Sequence, residues 1–116
     1  MKISAVRVFV EDLAAARRFY GTLLELPELD HSEHHVSFDA GPILLVEKAD
    51  DEARGDGLVG RFLGFSLQVD DLAAMQTRLV TAGCRIVGAP ERQAWGGILM
   101  HVDDLAGNVV TFVQLP

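Results

Sequence analysis

The sequence contains one cysteine, Cys84, in 116 residues. No disulfide can form within the chain, and no zinc site can be built from cysteines. A lone thiol among apolar neighbours reads as a small core residue, because burial keeps it inert. Positive charge is scarce as well. Ten Lys+Arg face seventeen Asp+Glu, a net charge of −7, so a phosphate backbone or an anionic membrane surface is repelled at long range. Nucleic acid and membrane are therefore not expected partners. Long apolar runs are missing: nothing approaches the roughly eighteen residues needed to span a bilayer, and Met1 to Arg7 lacks the apolar region of a signal peptide. A cytoplasmic protein is expected.

What is present is a globular composition, 49% hydrophobic and 23% charged, in a length that suits one domain over residues 1–116. Such a chain buries roughly two-thirds of its unfolded surface, enough for a core without staples.

The sequence repeats itself. Val10-Glu11-Asp12-Leu13-Ala14-Ala15 returns as Val69-Asp70-Asp71-Leu72-Ala73-Ala74, an offset of 59 residues, close to half the chain. Each copy follows an alternating apolar segment and opens one of helical period. In the first half Val6, Val8 and Val10 alternate with Arg7 and Phe9, the period of a strand. Asp12 then caps a helix carrying Leu13, Ala16, Phe19, Tyr20 and Leu23, which stops before Pro27. In the second half Phe65, Leu67 and Val69 form the strand, Asp71 the cap, and Leu72, Met75, Leu79 and Ala82 the stripe, with Gly83 ending the helix. Strands are predicted over 29–33, 35–39 and 43–47 in the first half, and over 84–87, 98–102 and 109–115 in the second. The acidic, glycine-containing segment 48–60 reads as a solvated connection between module one, about 1–55, and module two, about 61–116.

A βαβββ unit covers one face of its sheet with its helix and leaves the other bare. Two such units are expected to unite their sheets, leaving a concave ligand face opposite the helices. Side chains alternating with the helix-facing residues point to it: Ala5, Arg7 and Phe9 on the first strand, Gly64, Ser66 and Gln68 on its counterpart.

The duplicated units resemble the vicinal oxygen chelate superfamily, which includes glyoxalase I, extradiol dioxygenases, fosfomycin-resistance enzymes and bleomycin-binding proteins. The resemblance rests on Val6 to Leu13 with Phe19-Tyr20, Phe65 to Leu72, Ala82-Gly83, Trp95-Gly96-Gly97 and Asp104-Leu105-Ala106-Gly107-Asn108. It implies an α+β fold of two βαβββ modules forming a curved mixed sheet with helices on the convex face. It also implies a homodimer. Metal-using members of the superfamily hold a divalent ion at four places, which fall here on Ala5, approximately Leu44, Gly64 and Thr111. None supplies a carboxylate or imidazole. Glu47 lies near the fourth-strand position, but one carboxylate without partners is not a metal site.

The resemblance therefore implies a metal-free member without cofactor, similar to the antibiotic-binding branch, holding a neutral or cationic, partly aromatic small molecule. The rival expectation is a metal-dependent lyase, isomerase or dioxygenase with non-standard ligands. A third is a metal-free enzyme using Glu47 or His101 as base. The candidate ligand-binding residues are Arg7, Phe9, Ser66, Gln68, Trp95, Thr111 and His101. Arg7, set among valines, either pairs with a carboxylate of the protein or binds a carbonyl or anionic group of the ligand. Phe9 and Trp95 offer stacking surfaces, with core packing the alternative. Ser66, Gln68 and Thr111 add neutral polar groups, His101 faces either side of its strand, and Met100 is groove or core. His34 and His35, adjacent in a strand, cannot chelate together. Asp104 and Asn108 are assigned to the turn around Gly107, and the paired aspartates to capping and turns.

Overall fold

Alternation of buried and exposed residues sets the strands, and three aspartate N-caps, Asp12, Asp50 and Asp71, set the helices. The computed structural model describes residues 1–116, with the element order β1 (Ala5–Val10), α1 (Leu13–Ala16, continued as a π-helix over Arg17–Leu23), β2 (Glu28–His31), β3 (His35–Asp39), β4 (Ile43–Lys48), α2 (Asp51–Gly55), β5 (Phe62–Gln68), α3 (Leu72–Thr81), β6 (Ile86–Arg92), β7 (Ile98–Asp103) and β8 (Val109–Gln114). Two units result. The first comprises Met1–Arg61 with Leu105–Gly107, and the second Phe62–Asp104 with Asn108–Pro116. Their sheets share one topology, β1-β4-β3-β2 and β5-β8-β7-β6, with one parallel and two antiparallel pairings each. The duplication seen in the sequence is thus a duplicated α+β architecture of two four-stranded mixed sheets.

In the first unit Val8 and Val10 are fully buried, with Val36, Phe38, Leu44 and Val46 from the neighbouring strands and Phe19 and Tyr20 from the helix. Asp12 caps the helix by accepting from the Ala15 N–H at 3.1 Å. The π-helical stretch departs from the expected regular helix. Leu24 N donates to Phe19 O at 3.0 Å, a five-residue step that widens the turn. Adjacent Phe19 and Tyr20 are both fully buried there, in an edge-to-face pair at 4.9 Å.

Three further departures have physical reasons. The strand expected over 29–33 lies at Glu28–His31 and is exposed throughout, as an edge strand without a core face. Segment 48–60, read as a solvated connection, contains α2, whose Ala53 is buried and whose N-cap Asp50 accepts from the Ala53 N–H at 2.8 Å. The strand expected at 84–87 runs instead over Ile86–Arg92 through Gly88 and Pro90. It is an edge strand with register shifts, where a missing N–H is tolerated.

In the second unit Asp71 accepts from the Ala74 N–H at 3.0 Å to cap α3, and Gly83 follows it at φ +84°. The core takes Leu72, Leu79, Met100, Val102, Val110 and Phe112, which settles Met100 as core, and Cys84 is buried as expected. Asp104 and Asn108 are almost fully buried. Asn108 donates from its backbone N to Asp104 Oδ1 at 3.2 Å and from Nδ2 to Oδ2 at 3.1 Å, while Asp104 N donates to Asn108 O at 3.0 Å. Their work is to hold the turn between β7 and β8. Asn108→Ala leaves a buried carboxylate oxygen without that donor and should cost about 2 kcal/mol, read as a lowered denaturant midpoint with an unchanged slope.

Candidate functional site

Because Val8 and Val10 point into the first core, Arg7 and Phe9 lie on the opposite face of β1. The parallel register sets Phe9 beside Glu47 on β4. Arg7 closes a two-pronged pair there, donating from Nε to Glu47 Oε2 at 2.7 Å and from the terminal nitrogen to Oε1 at 2.9 Å. The hydrogen bonds and charge of Glu47 raise the Arg7 pKa. Its guanidinium stands 5.2 Å from the Phe9 ring centre, in cation–π range. Of the two roles left open for Arg7, pairing inside the protein is the one present. The pair is solvent-exposed, so its effect is to orient Arg7 over Phe9 rather than to stabilise the fold.

Arg7 and Phe9 line a cavity of about 250 Å³ with Asp50, Glu52, Ala53, Asp56 and Leu58. The helix α2 supplies much of this wall. Arg54 ties it down, donating to Glu11 at 2.9 and 3.0 Å, to Asp51 at 2.9 Å and to the Ala49 carbonyl at 3.1 Å. Glu11 first, then Asp51, raises the Arg54 pKa. Asp50, Glu52 and Asp56 were not singled out from the sequence. The signal available was the helix start at Asp50, followed by acidic residues in the first turn.

The next row of the same sheet runs Arg7, Leu45, Ser37, Asp30 across β1, β4, β3 and β2. Ser37 donates to Asp30 Oδ1 at 2.6 Å, and His35 Nε2 lies 3.1 Å from the same oxygen. Ser37 first, then His35, holds Asp30 below the usual carboxylate range.

The equivalent row of the second sheet runs Ser66, Thr111, His101, Gly88 across β5, β8, β7 and β6. Three predicted residues are brought together here. The Thr111 hydroxyl and His101 Nδ1 share a hydrogen bond of 2.8 Å, and the His101 ring meets Phe62 edge-on at 5.8 Å. A Cβ on Gly88 would stand 2.9 Å from His101 Cδ2, so the bare backbone makes room for the ring. Gln68 is exposed two residues beyond Ser66, beside Val113. Trp95 is half-exposed in the connection between β6 and β7, its ring lying against the backbone of Gly97. It belongs to that turn and not to the row.

The four positions at which metal-using relatives hold an ion do not fit one here. Ala5 is an exposed methyl, Gly64 has no side chain, and the Thr111 hydroxyl is engaged by His101. Leu44 requires a correction: it pairs with Val6 and is buried in the core, so Leu45 takes the face that Arg7 shares. The substitute is also aliphatic. No group of three or more His, Cys, Asp or Glu side chains is placed to hold a metal ion.

A family model described as the Glyoxalase/Bleomycin resistance protein/Dioxygenase superfamily matches residues 2–112. The chain belongs to this superfamily. No curated protein matches it. Among solved structures it is similar to TnmS3, an antibiotic binding protein from Streptomyces sp. CB03234, at 22% identity and a TM-score of 0.80 over 100% of this chain and 97% of that one. It is also similar to a lactoylglutathione lyase from Agrobacterium tumefaciens, at 22% identity and 0.78 over 97% and 92%. A glyoxalase-related enzyme from Fulvimarina pelagi, at 20% identity and 0.80, covers 100% and 89%. Binding proteins and enzymes share this scaffold, so side chains must decide between them. The superfamily member described here has no helix long and apolar enough to cross a membrane.

Two expectations test the geometry. Gly88→Ala should push the His101 ring off Thr111, seen as a changed His101 ring resonance and a fall in stability of about 1–3 kcal/mol. The contribution of a carboxylate whose native pKa is lowered is present above the usual carboxylate range and lost as pH falls through the native value. Amide-exchange protection of the β2–β3 hairpin should therefore fall in acid, and Asp30→Asn should remove that acid limb.

Proposed function

We propose that the cavity beside Phe9 binds a small molecule without transforming it, and that it takes a cationic group attached to an aromatic ring. The observation that carries this reading is the charge of the wall: Asp50, Glu52 and Asp56 line the cavity and form no ion pair, while Arg7 is neutralised by Glu47. Three carboxylates around a small space favour a cation, and Phe9 and Leu58 offer apolar surface for a ring. At about 250 Å³ the space is slightly below the roughly 300–1,000 Å³ of drug-binding pockets, so it suits one ring and its amine rather than a whole drug-sized molecule.

The lack of a carboxylate or imidazole at Ala5, Leu45, Gly64 and Thr111 supports binding without the divalent ion on which the superfamily's metal-using enzymes depend. The description of TnmS3 as an antibiotic binding protein supports an antibiotic or metabolite as ligand. On the second unit, Ser66, Gln68, His101, Thr111 and Trp95 are the proposed polar and stacking contacts. A homodimer, which the superfamily resemblance supports, and a cytoplasmic location, which the lack of a long apolar run supports, complete the reading.

Calorimetry with a series of planar aromatic compounds carrying zero, one or two positive charges tests it, with no metal added. Affinity should rise with charge and fall with added salt. Phe9→Ala should weaken binding about tenfold, or about 1.4 kcal/mol. Equal binding of anionic analogues, or an unchanged affinity in Phe9→Ala, overturns the assignment.

A further inference from the structure

The β2–β3 hairpin holds a chain of side chains that the Phe9 cavity does not include. A carboxylate only accepts hydrogen bonds, so at the 3.1 Å contact with Asp30 Oδ1 it is His35 Nε2–H that donates. Nδ1 faces Ser32 Oγ at 2.8 Å, and in the tautomer protonated at Nε2 it carries the ring's lone pair. Ser32 Oγ already accepts from the His34 backbone N–H at 3.0 Å. The hydroxyl's own proton therefore points to His35 Nδ1. Asp30 is itself fixed by the 2.6 Å bond from Ser37, which is buried. Carboxylate, imidazole and hydroxyl stand in the order by which a base, oriented by a third group, takes the proton of an attacking serine. The two ring nitrogens are exchanged relative to the familiar serine-hydrolase arrangement, but the roles follow from geometry. Ser32 is exposed where β2 gives way to β3, and its N–H donates to the His35 carbonyl at 2.9 Å, holding nucleophile and base together across the turn.

We propose that Ser32 is an acyl-accepting nucleophile, with His35 as its base and Asp30 as the residue that positions the imidazole, acting on small activated esters. Ser32 Oγ bonds to the carbonyl carbon while its proton passes to His35 Nδ1. The ester C–O bond breaks, and the leaving oxygen departs with the electron pair; a phenolate leaves as the anion, and the imidazolium returns its proton to water. Water then attacks the acyl-serine with His35 again as base, releasing the carboxylic acid and restoring the hydroxyl. This site stands or falls independently of ligand binding at Phe9.

The test uses the full chain and p-nitrophenyl acetate, following p-nitrophenolate release and locating the acetyl group by peptide fragmentation. Acetylation of Ser32 should exceed that of Ser4 and Ser66, exposed serines without an imidazole partner. Ser32→Ala should abolish the Ser32 adduct, and His35→Gln should slow its formation roughly tenfold to 100-fold. Nitrogen-15 shifts of the His35 ring give a readout independent of reactivity: the wild type should show Nε2 protonated and Nδ1 bare, and Asp30→Asn should mix the two tautomers. Acetyl groups confined to Lys2, Lys48 or other positions overturn the proposal. So does Ser32 acetylation at an unchanged rate in His35→Gln, or a wild-type ring protonated at Nδ1.

Discussion

One helix can cover only one face of a four-stranded sheet, and this constraint governs both units. A strand that packs on the core sends alternate side chains into it, as Val8 and Val10 do on β1 and Met100 and Val102 on β7. The residues between them carry no obligation to the core. Arg7, Phe9, Ser66 and His101 all occupy such positions, and the chain could vary them without dismantling the packing that holds the strands. A one-residue slip would reverse the faces and bury Arg7, so the valines that stabilise β1 also set the face to which Arg7 and Phe9 point.

The two sheets show how much chemistry this freedom permits. Their topologies match strand for strand, and Arg7, Leu45, Ser37 and Asp30 in the first correspond to Ser66, Thr111, His101 and Gly88 in the second. No corresponding pair of positions carries the same residue. Polar members are satisfied by cross-strand neighbours, Ser37 by Asp30 and Thr111 by His101, as buried or half-buried polar groups require. Gly88 belongs to the same logic, since the space it leaves is filled by an imidazole.

The sequence pattern revealed most of the scaffold because that scaffold is made of local periodicities. Alternating valines marked β1, three- and four-residue steps with Asp71 and Gly83 marked α3, and a repeated Asp-Leu-Ala-Ala marked the duplication. The π-helical turn was hidden because Phe19, Tyr20 and Leu23 satisfy the α-helical and π-helical periods alike. The helix α2 was hidden because a five-residue helix on an acidic background buries only Ala53 and makes no apolar stripe. The expected strand at 84–87 runs on as β6 through Gly88 and Pro90, which an edge strand tolerates. At the candidate site, the sequence leaves Arg7 either a protein carboxylate or a ligand as partner; Glu47 is forty residues away and becomes its neighbour only through the β1–β4 register. Sequence order likewise separates Phe9 from Asp56, and folding brings them to one cavity.

Charge shows what that folding accomplishes. Residues 1–58 carry six Lys+Arg and twelve Asp+Glu, a net of −6, against −1 for residues 59–116. Spread evenly, the excess would serve mainly solubility. It is not spread evenly. Arg7 takes Glu47, Arg17 takes Glu28, and Arg54 takes Glu11 and Asp51, so the arginines neutralise carboxylates on β4 and β2, just after β1 and at the start of α2. Asp50, Glu52 and Asp56 receive no such partner and gather around the Phe9 cavity. Leaving like charges close together opposes folding, and that opposition is relieved when a cation enters. A ligand that completes the ion pairing would therefore raise the stability of the unit as it binds, which joins recognition to the same electrostatic balance that fixes α2 in place.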